Sequence, residues 1–255
     1  HRLIRRQRQM CIRDRAGTLE MVHFLKKVLE ERYDGICISP IADLRVEKLL
    51  QKMAEKGVEV IFILSAFDSV PYRTLIGTDS YQCGRSTGEA VREALGADGA
   101  VGIIKWKDNL IETVEDRYHG VVDVLKENRI PYYDMTGPGE PTAEEATKLT
   151  DRLLTEHPDI SVLCATNVGW GLAFARYLKS KGKKVKLVTV DFTDEVGEFM
   201  KAGYVDAAIA QRPESWGSMT LEKIEAVFEG QSIPKTIDTG TYPVTPANIR
   251  IYVKD

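Results

Sequence analysis

Short apolar runs that alternate with helical patterns are the feature of this sequence that most constrains its fold. The runs are five to seven residues long and mostly continuous, without the strict alternation of a strand that has one face in water. Such runs are typical of parallel strands whose two faces are both covered. The predicted strands are Gly35–Ser39, Val58–Leu64, Ala100–Ile104, Pro131–Met135, Ile160–Ala165, Val185–Val190 and Asp206–Ala210.

Apolar residues recur at helical spacing between these runs. The predicted helices carry the sets Val46, Leu49, Leu50 and Met53; Val114, Val121, Val122 and Leu125; Ala146, Leu149, Leu153 and Leu154; and a last helix covers about Glu214 to Glu229. Gly182 and Gly203 suit helix ends, and Pro213 suits a first helical turn. Strands that alternate with helices at this spacing predict a doubly wound α/β protein.

The first fifteen residues are treated separately because their composition differs from the rest. They contain six arginines and one acidic residue. Back-translated, the stretch from Arg5 to Asp14 resembles the adapter of transposon-based sequencing libraries, so residues 1–15 are predicted to be a sequencing or cloning scar. We therefore expect the natural N-terminus, with any signal peptide or DNA-binding head, to be missing.

Removing this segment changes the charge of the chain. From totals of 35 basic and 38 acidic residues, 29 and 37 remain, which gives a net charge of −8. An acidic body argues against a nucleic-acid partner for this region. No apolar run approaches the roughly 18 residues that span a bilayer.

The sequence contains no recognisable catalytic or cofactor-binding motif. There is no GxxxxGK[ST], no GxGxxG after a strand, no GxSxG and no HExxH. The four cysteines show neither CxxC pairing nor metal spacing, and His119 and His157 suit surface or capping positions. We therefore predict no catalytic residues, no metal site and no cofactor.

Polar residues follow three successive predicted strands, at Asn167, Asp191 and Gln211. Ligands of open parallel sheets bind outside the carboxyl ends of the strands, so these side chains are candidates for one wall of a pocket. Each also has a simpler interpretation. Asn167 can cap the helix that begins near Val168, Asp191 can brace the turn before Thr193, and Gln211 can be a linker residue.

The order of several short motifs resembles the type I periplasmic-binding-protein family, in its ribose-binding-like branch, from about Leu19 to Val253. The matching pieces are Tyr33–Pro40, Ile76–Asp79 with Gly84 and Arg85, Arg117–Gly120, His157–Ile160 with Asn167, Val188–Asp191, Ala208–Gln211 with Gly217, and Val244–Asn248. Each motif alone is weak, and their joint order and spacing is specific.

The resemblance implies two Rossmann-like lobes with parallel sheets, joined by crossover segments, that hold a sugar between them. It places a first lobe, incomplete at its N-terminus, at residues 16–78 plus 212–240, and a second lobe at residues 79–211 plus 241–255. It further implies that Asn167, Asp191 and Gln211 hydrogen-bond ligand hydroxyls, and that Asp79 and Gln211 lie at crossovers.

Two departures from the ribose-binding pattern concern specificity. Leu64-Ser65 replaces a polar pair, and Glu115 stands where ribose binders have an arginine, so Glu115 is included among the candidate ligand-binding residues. Aromatic stacking on the sugar is expected from Trp170 first and from Trp106 second. Trp216 fits core packing equally well.

The expected function is that of a substrate-binding protein that delivers a sugar or related polyol to the permease of an ABC importer. It would act outside the cytoplasm, in the periplasm or lipid-anchored at the cell surface, and the complete protein would be a monomer. Two alternatives remain open: the effector domain of a lactose-repressor-type regulator, and the sensing domain of a membrane receptor. The Val244–Asn248 tail favours transport.

Overall fold

The computed structural model describes residues 17–31, 33–96, 98–106, 112–139 and 141–253. The predicted scar at residues 1–15 lies outside these ranges. The chain forms two compact units, one containing the described residues up to Ile76 together with Ser215–Ile237, and the other containing Gly77–Glu214 and the described residues from Asp238. The units divide the chain after residues 76, 214 and 237, whereas the sequence-based borders lie after residues 78, 211 and 240.

Unit 1 is built on a four-stranded sheet. Its strands are β1 (Gly35–Ile38), β2 (Glu59–Ile63), β3 (Thr74–Gly77) and β9 (Thr236–Asp238), in the order β1-β2-β3-β9. β2 is parallel to both β1 and β3. The helices of this unit are α1 (Thr18–Glu31), α2 (Leu44–Glu55) and all but the first two residues of α8 (Pro213–Phe228).

Two apolar clusters hold unit 1 together. Leu25 of α1 and Leu50 of α2 pack with Phe62 of β2 in the first cluster. Trp216 of α8 packs with Ile61 and Ile76 in the second. Because consecutive residues of β2 point to opposite faces, Ile61 and Phe62 enter different clusters, and both faces of the sheet are covered as the continuous apolar runs predict.

Unit 2 contains a six-stranded sheet in the order β10-β8-β7-β6-β4-β5. Its strands are β4 (Ala100–Trp106), β5 (Tyr132–Gly137), β6 (Ile160–Ala165), β7 (Lys186–Val190), β8 (Ala207–Ala210) and β10 (Tyr242–Val244). The pairs among β4 to β8 are parallel, and β10 is antiparallel to β8. The predicted doubly wound arrangement is confirmed.

Helices cover both faces of the unit 2 sheet. They are α3 (Ser80–Leu95), α4 (Glu112–Glu127), α5 (Ala143–Glu156), α6 (Val168–Lys181) and α7 (Asp194–Lys201), followed near the end of the chain by a 3-10 helix, Ile249–Ile251. Val162 packs with α3 and α4, whereas its neighbour Leu163 packs with α5 and α6. This alternation places the two larger apolar clusters of the unit on opposite sides of β6.

The seven strands predicted from the sequence are present within one or two residues of their expected ends, and three short strands were not predicted. These are β3, β9 and β10, of three or four residues each. They are too short to show periodicity, and Pro243 in β10 lowers the strand propensity further. β10 lies at the edge of its sheet, where a proline can be accommodated.

Candidate functional site

The carboxyl ends of three adjacent strands bring the predicted site residues to one edge of the unit 2 sheet. β6, β7 and β8 are neighbours in the sheet and run parallel. Asn167, Asp191 and Gln211 follow these strands in turn. The topology of the sheet therefore places the three residues side by side.

Asp191 and Gln211 contact each other directly. The Gln211 amide Nε2 donates to Asp191 Oδ1 at 2.6 Å, and the Asp191 backbone N–H donates to the Ile209 carbonyl at 2.9 Å. Asp191 has a φ of 69°, a left-handed conformation that is uncommon for residues other than glycine, Asn and Asp. Gln211 is only 6% exposed, and its Oε1 atom has no hydrogen-bond partner among the described residues. The hydrogen bond to Asp191 therefore fixes the Gln211 side chain and leaves its Oε1 acceptor unused within the described residues.

Asn167 caps α6 and keeps a second polar group available. Its Oδ1 accepts from the Trp170 backbone N–H at 3.0 Å, which confirms the capping interpretation. Its Nδ2 group is buried and has no partner in the described part of the chain. The carbonyl of Asn167 accepts a long hydrogen bond from the Thr189 hydroxyl, at 3.4 Å. Capping therefore uses one end of the carboxamide and leaves the donor end unpaired.

Arg117 is a buried cation beside this edge that the sequence-based site assignment missed. It lies on α4, is 6% exposed, and donates from Nη1 to the carbonyl of Thr166 at 3.4 Å. Its Nε group is buried without a partner, and no ion pair to it is found among the described residues. The sequence signal was its helical spacing between Val114 and Val121, which places a charged residue on the apolar face of α4.

The start of α3 contributes a further unpaired group. Ser80, its first residue, is 7% exposed and its hydroxyl has no partner within the described ranges. Three residues along α3, burial raises the pKa of the Cys83 thiol to about 11, with the Asp191 and Asp79 carboxylates adding to the increase and Arg117 opposing it. The charged groups of Asp191, Asp79 and Arg117 therefore all lie near the Cys83 thiol, close to the strand ends.

Trp170 is a core residue, which contradicts the expectation that it stacks on a sugar. Its side chain is 0% exposed, and its indole N–H donates to the Pro138 carbonyl at 2.9 Å. Its ring lies 5.5 Å from that of Phe174 in the α5–α6 core. A ring that is enclosed on both faces has no surface for a ligand.

Trp106 and Glu115 lie near the carboxyl end of β4. Trp106 is the last residue of the strand and half-buried, and its indole N–H is buried without a partner in the described residues. Glu115 instead forms an ion pair with Lys105 at 2.9 Å, and its Oε1 atom lies 3.2 Å from His119 Nε2. No contact joins Glu115 to Asn167, Asp191 or Gln211 among the described residues, so its predicted ligand-binding role stays a prediction.

No cluster of three or more histidine, cysteine or acidic side chains suited to a metal ion occurs in the described part of the chain. None of the described helices is both long and apolar enough to cross a membrane.

Cys164 lies inside β6, and burial raises the pKa of its thiol to about 12. This thiol is a small apolar group of the core, as its position in an apolar run indicates.

Comparison with known proteins gives the same picture as the fold. The periplasmic binding protein domain family matches residues 11–232. The ribose import binding protein of Bacillus subtilis (strain 168) is 21% identical over 220 residues, which cover 84% of this chain and 69% of that protein.

Two solved structures illustrate the range of similar folds. A solute-binding protein of an ABC transporter from Burkholderia graminis, in complex with D-arabinose, has a TM-score of 0.82 and 24% identity, covering 92% of this chain and 83% of its own. A putative LacI transcriptional regulator from Bacteroides fragilis has a TM-score of 0.80 and 20% identity. The match covers 92% of this chain and 83% of the regulator. The chain belongs to the periplasmic binding protein family, in the type I group that resembles the ribose-binding proteins.

Proposed function

We propose that the strand-end edge of unit 2 binds a sugar or a related polyol, and that the protein is the substrate-binding component of an ABC importer. The observation that carries the proposal is a set of four polar atoms at this edge that are buried and have no hydrogen-bond partner among the described residues. They are Gln211 Oε1, Asn167 Nδ2, Arg117 Nε and Ser80 Oγ. Each such atom costs about 1–3 kcal/mol when left unpaired, so a ligand that pairs with them gains that free energy.

The chemical types of these atoms suit hydroxyl groups. Gln211 offers an acceptor, Asn167 and Arg117 offer donors, and the Ser80 hydroxyl can do either. Each hydroxyl of a sugar both donates and accepts, so vicinal hydroxyls can satisfy donors and acceptors that lie side by side. Asp191, with one carboxylate oxygen held by Gln211, supplies a further acceptor.

The family and its sugar-binding members support the transport role. We propose that the protein acts outside the cytoplasm, in the periplasm or anchored to the cell surface by a lipid, as a monomer that delivers its ligand to an ABC permease. It would release the sugar chemically unchanged and would need no cofactor. Incubation with the bound sugar, followed by NMR of the recovered ligand, tests this: any turnover would contradict a purely binding role.

Asn167→Asp is the sharpest test of the site. Asp caps helices as well as Asn, so the α6 cap is kept while the Nδ2 donor is replaced by an acceptor. After a thermal-shift screen of pentoses, hexoses and inositols identifies a ligand, we expect calorimetric titration to show roughly 5- to 150-fold weaker binding by this variant.

Thr142→Ala is the matched control for this test. It removes the cap of α5, where the Thr142 hydroxyl accepts from the Glu145 backbone N–H at 3.3 Å, and it leaves the strand ends unchanged. We expect it to lower the unfolding temperature without altering affinity. The site would be excluded if the wild-type protein bound no sugar or polyol in the screen. It would also be excluded if the Asn167→Asp variant bound the ligand with wild-type affinity.

A regulator remains the second candidate, because a LacI-type regulator shares the fold at a TM-score of 0.80. The oligomeric state separates the two roles, since regulators of this class bind symmetric DNA sites as dimers. We expect light scattering after size-exclusion chromatography to give a monomer at micromolar concentration, with or without sugar. A stable dimer would favour the regulator.

A further inference from the structure

Three chain segments at the border of unit 2 are joined to one another by hydrogen bonds. They comprise residues 77–79 from the last residue of β3, residues 211–214 from the end of β8 to the start of α8, and the turn Asp238–Gly240 from the last residue of β9. The Asp238–Gly240 turn contacts each of the other two segments. All three belong to unit 2, although each comes from a different part of the sequence.

The Asp238 side chain organises the contact with the first segment. Its Oδ1 atom accepts from the backbone N–H groups of Asp79, at 3.1 Å, and Gly240, at 2.9 Å. Gly240 has a φ of +65°, a conformation that glycine adopts without strain. The Thr239 backbone N–H donates to the Gly77 carbonyl at 2.9 Å, so the turn is bonded through side chain and backbone.

Arg212 makes the contact with the second segment. Its Nη1 donates to the Thr239 carbonyl at 3.0 Å, and its guanidinium lies 4.8 Å from the centre of the Tyr242 ring. The Tyr242 ring in turn stacks with that of Tyr252 at 5.0 Å. Arg212 is therefore held in place by a hydrogen bond and by an aromatic face.

Both contacts are made by residues that adjoin residues of the strand-end site. Arg212 follows Gln211, whose amide is bonded to Asp191, and Asp79 caps α3 by accepting from the Gln82 N–H at 2.9 Å. Ser80, whose hydroxyl has no partner among the residues that the structure describes, is the next residue. We propose that Asp238 and Arg212 are positioning residues: through the Asp238–Gly240 turn they hold Gln211 and the start of α3 at the spacing that the ligand requires.

This inference rests on the proposed sugar-binding function, and it predicts a change in affinity without a matching change in stability. Asp238 and Arg212 are exposed, and exposed polar contacts contribute little to the free energy of unfolding. Fixing the groups that bind a ligand, in contrast, reduces the entropy lost on binding. A merely structural role would alter the unfolding temperature and the affinity together.

The test compares Asp238→Ala with Asp238→Asn. Alanine removes the acceptor of two N–H groups, whereas the Asn Oδ1 atom can still accept from both. With a sugar found in the screen, we expect roughly 5- to 50-fold weaker binding for Asp238→Ala, near wild-type binding for Asp238→Asn, and thermal unfolding unchanged in both. Normal affinity of Asp238→Ala, or no rescue by Asn, would overturn the proposal.

Arg212→Met is the second variant, with Arg250→Met as its control. Both arginines are exposed residues of unit 2, and Arg250 lies on the 3-10 helix, with no hydrogen bond to the Asp238–Gly240 turn among the described residues. We expect the side-chain amide NMR signal of Gln211 in ligand-free protein to shift and broaden in Arg212→Met and to stay unchanged in Arg250→Met. An unchanged signal in both variants would refute the positioning role.

The NMR measurement also separates the two hypotheses. If wild-type protein binds no sugar or polyol, the proposed function fails, while the Gln211 signal still decides whether Arg212 positions this side chain. Should Arg212→Met fold poorly, Arg212→Lys keeps the charge and loses the planar group that stacks on Tyr242, and the same shift of the Gln211 signal is expected.

Discussion

Asn167 performs two tasks with the two ends of one carboxamide. Its oxygen caps α6 through the Trp170 N–H, and its nitrogen is buried with no partner in the described ranges of the chain. A helix cap alone needs only the oxygen, and serine or threonine would supply it equally well. The unpaired donor is therefore the feature that distinguishes Asn167 from an ordinary capping residue and that makes it a candidate ligand contact.

Trp170→Phe tests at the residue scale whether Trp170 is a core residue or a ligand platform. Because the ring is enclosed and its N–H is bonded to Pro138, we expect the variant to lose about 1–3 kcal/mol of unfolding free energy in urea titrations. Sugar affinity should change less than about twofold. Trp106→Phe is the comparison, at a half-buried tryptophan. Weaker binding by Trp170→Phe at unchanged stability would restore the stacking role.

Residue positions at strand ends could be predicted from the sequence, whereas side-chain environments could not. Asn167, Asp191 and Gln211 follow apolar runs that are long enough to identify as strands. Trp170 was misassigned because its position one turn after Asn167 does not show which way the ring points. The spacing of Trp170 with Phe174, Tyr177 and Leu178 matches a buried helical stripe, and that pattern predicts the observed core position.

At the scale of elements, glycines allow α3 and α4 to pack closely beside the strand ends. A Cβ atom at Gly84 would lie 2.2 Å from the Arg117 carbonyl oxygen, and one at Gly120 would lie 2.2 Å from that of Tyr81. Both obstacles are backbone atoms of the other helix, so neither can move aside easily. The close approach of these helices brings the buried guanidinium of Arg117 to the edge of the sheet.

Gly84→Ala is therefore expected to destabilise the protein by about 1–3 kcal/mol and to weaken sugar binding, because it pushes the Arg117 helix outward. Gly217→Ala is the matched control. It changes a glycine within α8 where nothing lies within 4 Å of the added carbon, and it should stabilise the protein by about 0.5–1 kcal/mol through helix propensity. Denaturant titration measures both; equal effects would show that the helices tolerate a wider spacing.

The long helices could be predicted from the sequence because burial of one face gives their apolar residues a regular spacing. The short strands could not be predicted in this way. α2, α4 and α5 each carry an apolar stripe over three or more turns. β9 and β10 are defined by neighbouring strands instead, as in the pairing of Tyr242 with Ala210. The approach of α3 to α4 depends on Gly84, Gly88 and Gly120, which lie outside the apolar stripes that were used to predict helices, and the placement of Arg117 depends on this approach.

At the scale of the whole molecule, each unit has its own apolar core. Phe62 is fully buried in unit 1, and Trp170 is fully buried in unit 2. We expect scanning calorimetry to show a calorimetric enthalpy larger than the van't Hoff enthalpy, because separate cores can unfold separately. Phe62→Leu should lower the transition of one unit, and Trp170→Phe that of the other. One transition with equal enthalpies, shifted alike by both variants, would contradict this expectation.

Interleaving of the two units along the chain has a consequence for biosynthesis. Trp216 of unit 1 packs against Ile61 and Ile76 from the early part of the chain, and Val244 enters the core of unit 2 near its end. Neither core can be completed until translation has passed these late residues, and contacts between distant residues form slowly. We therefore expect both cores to stay incomplete, and the nascent chain to stay open, until the segments that contain Trp216 and Val244 have been synthesised.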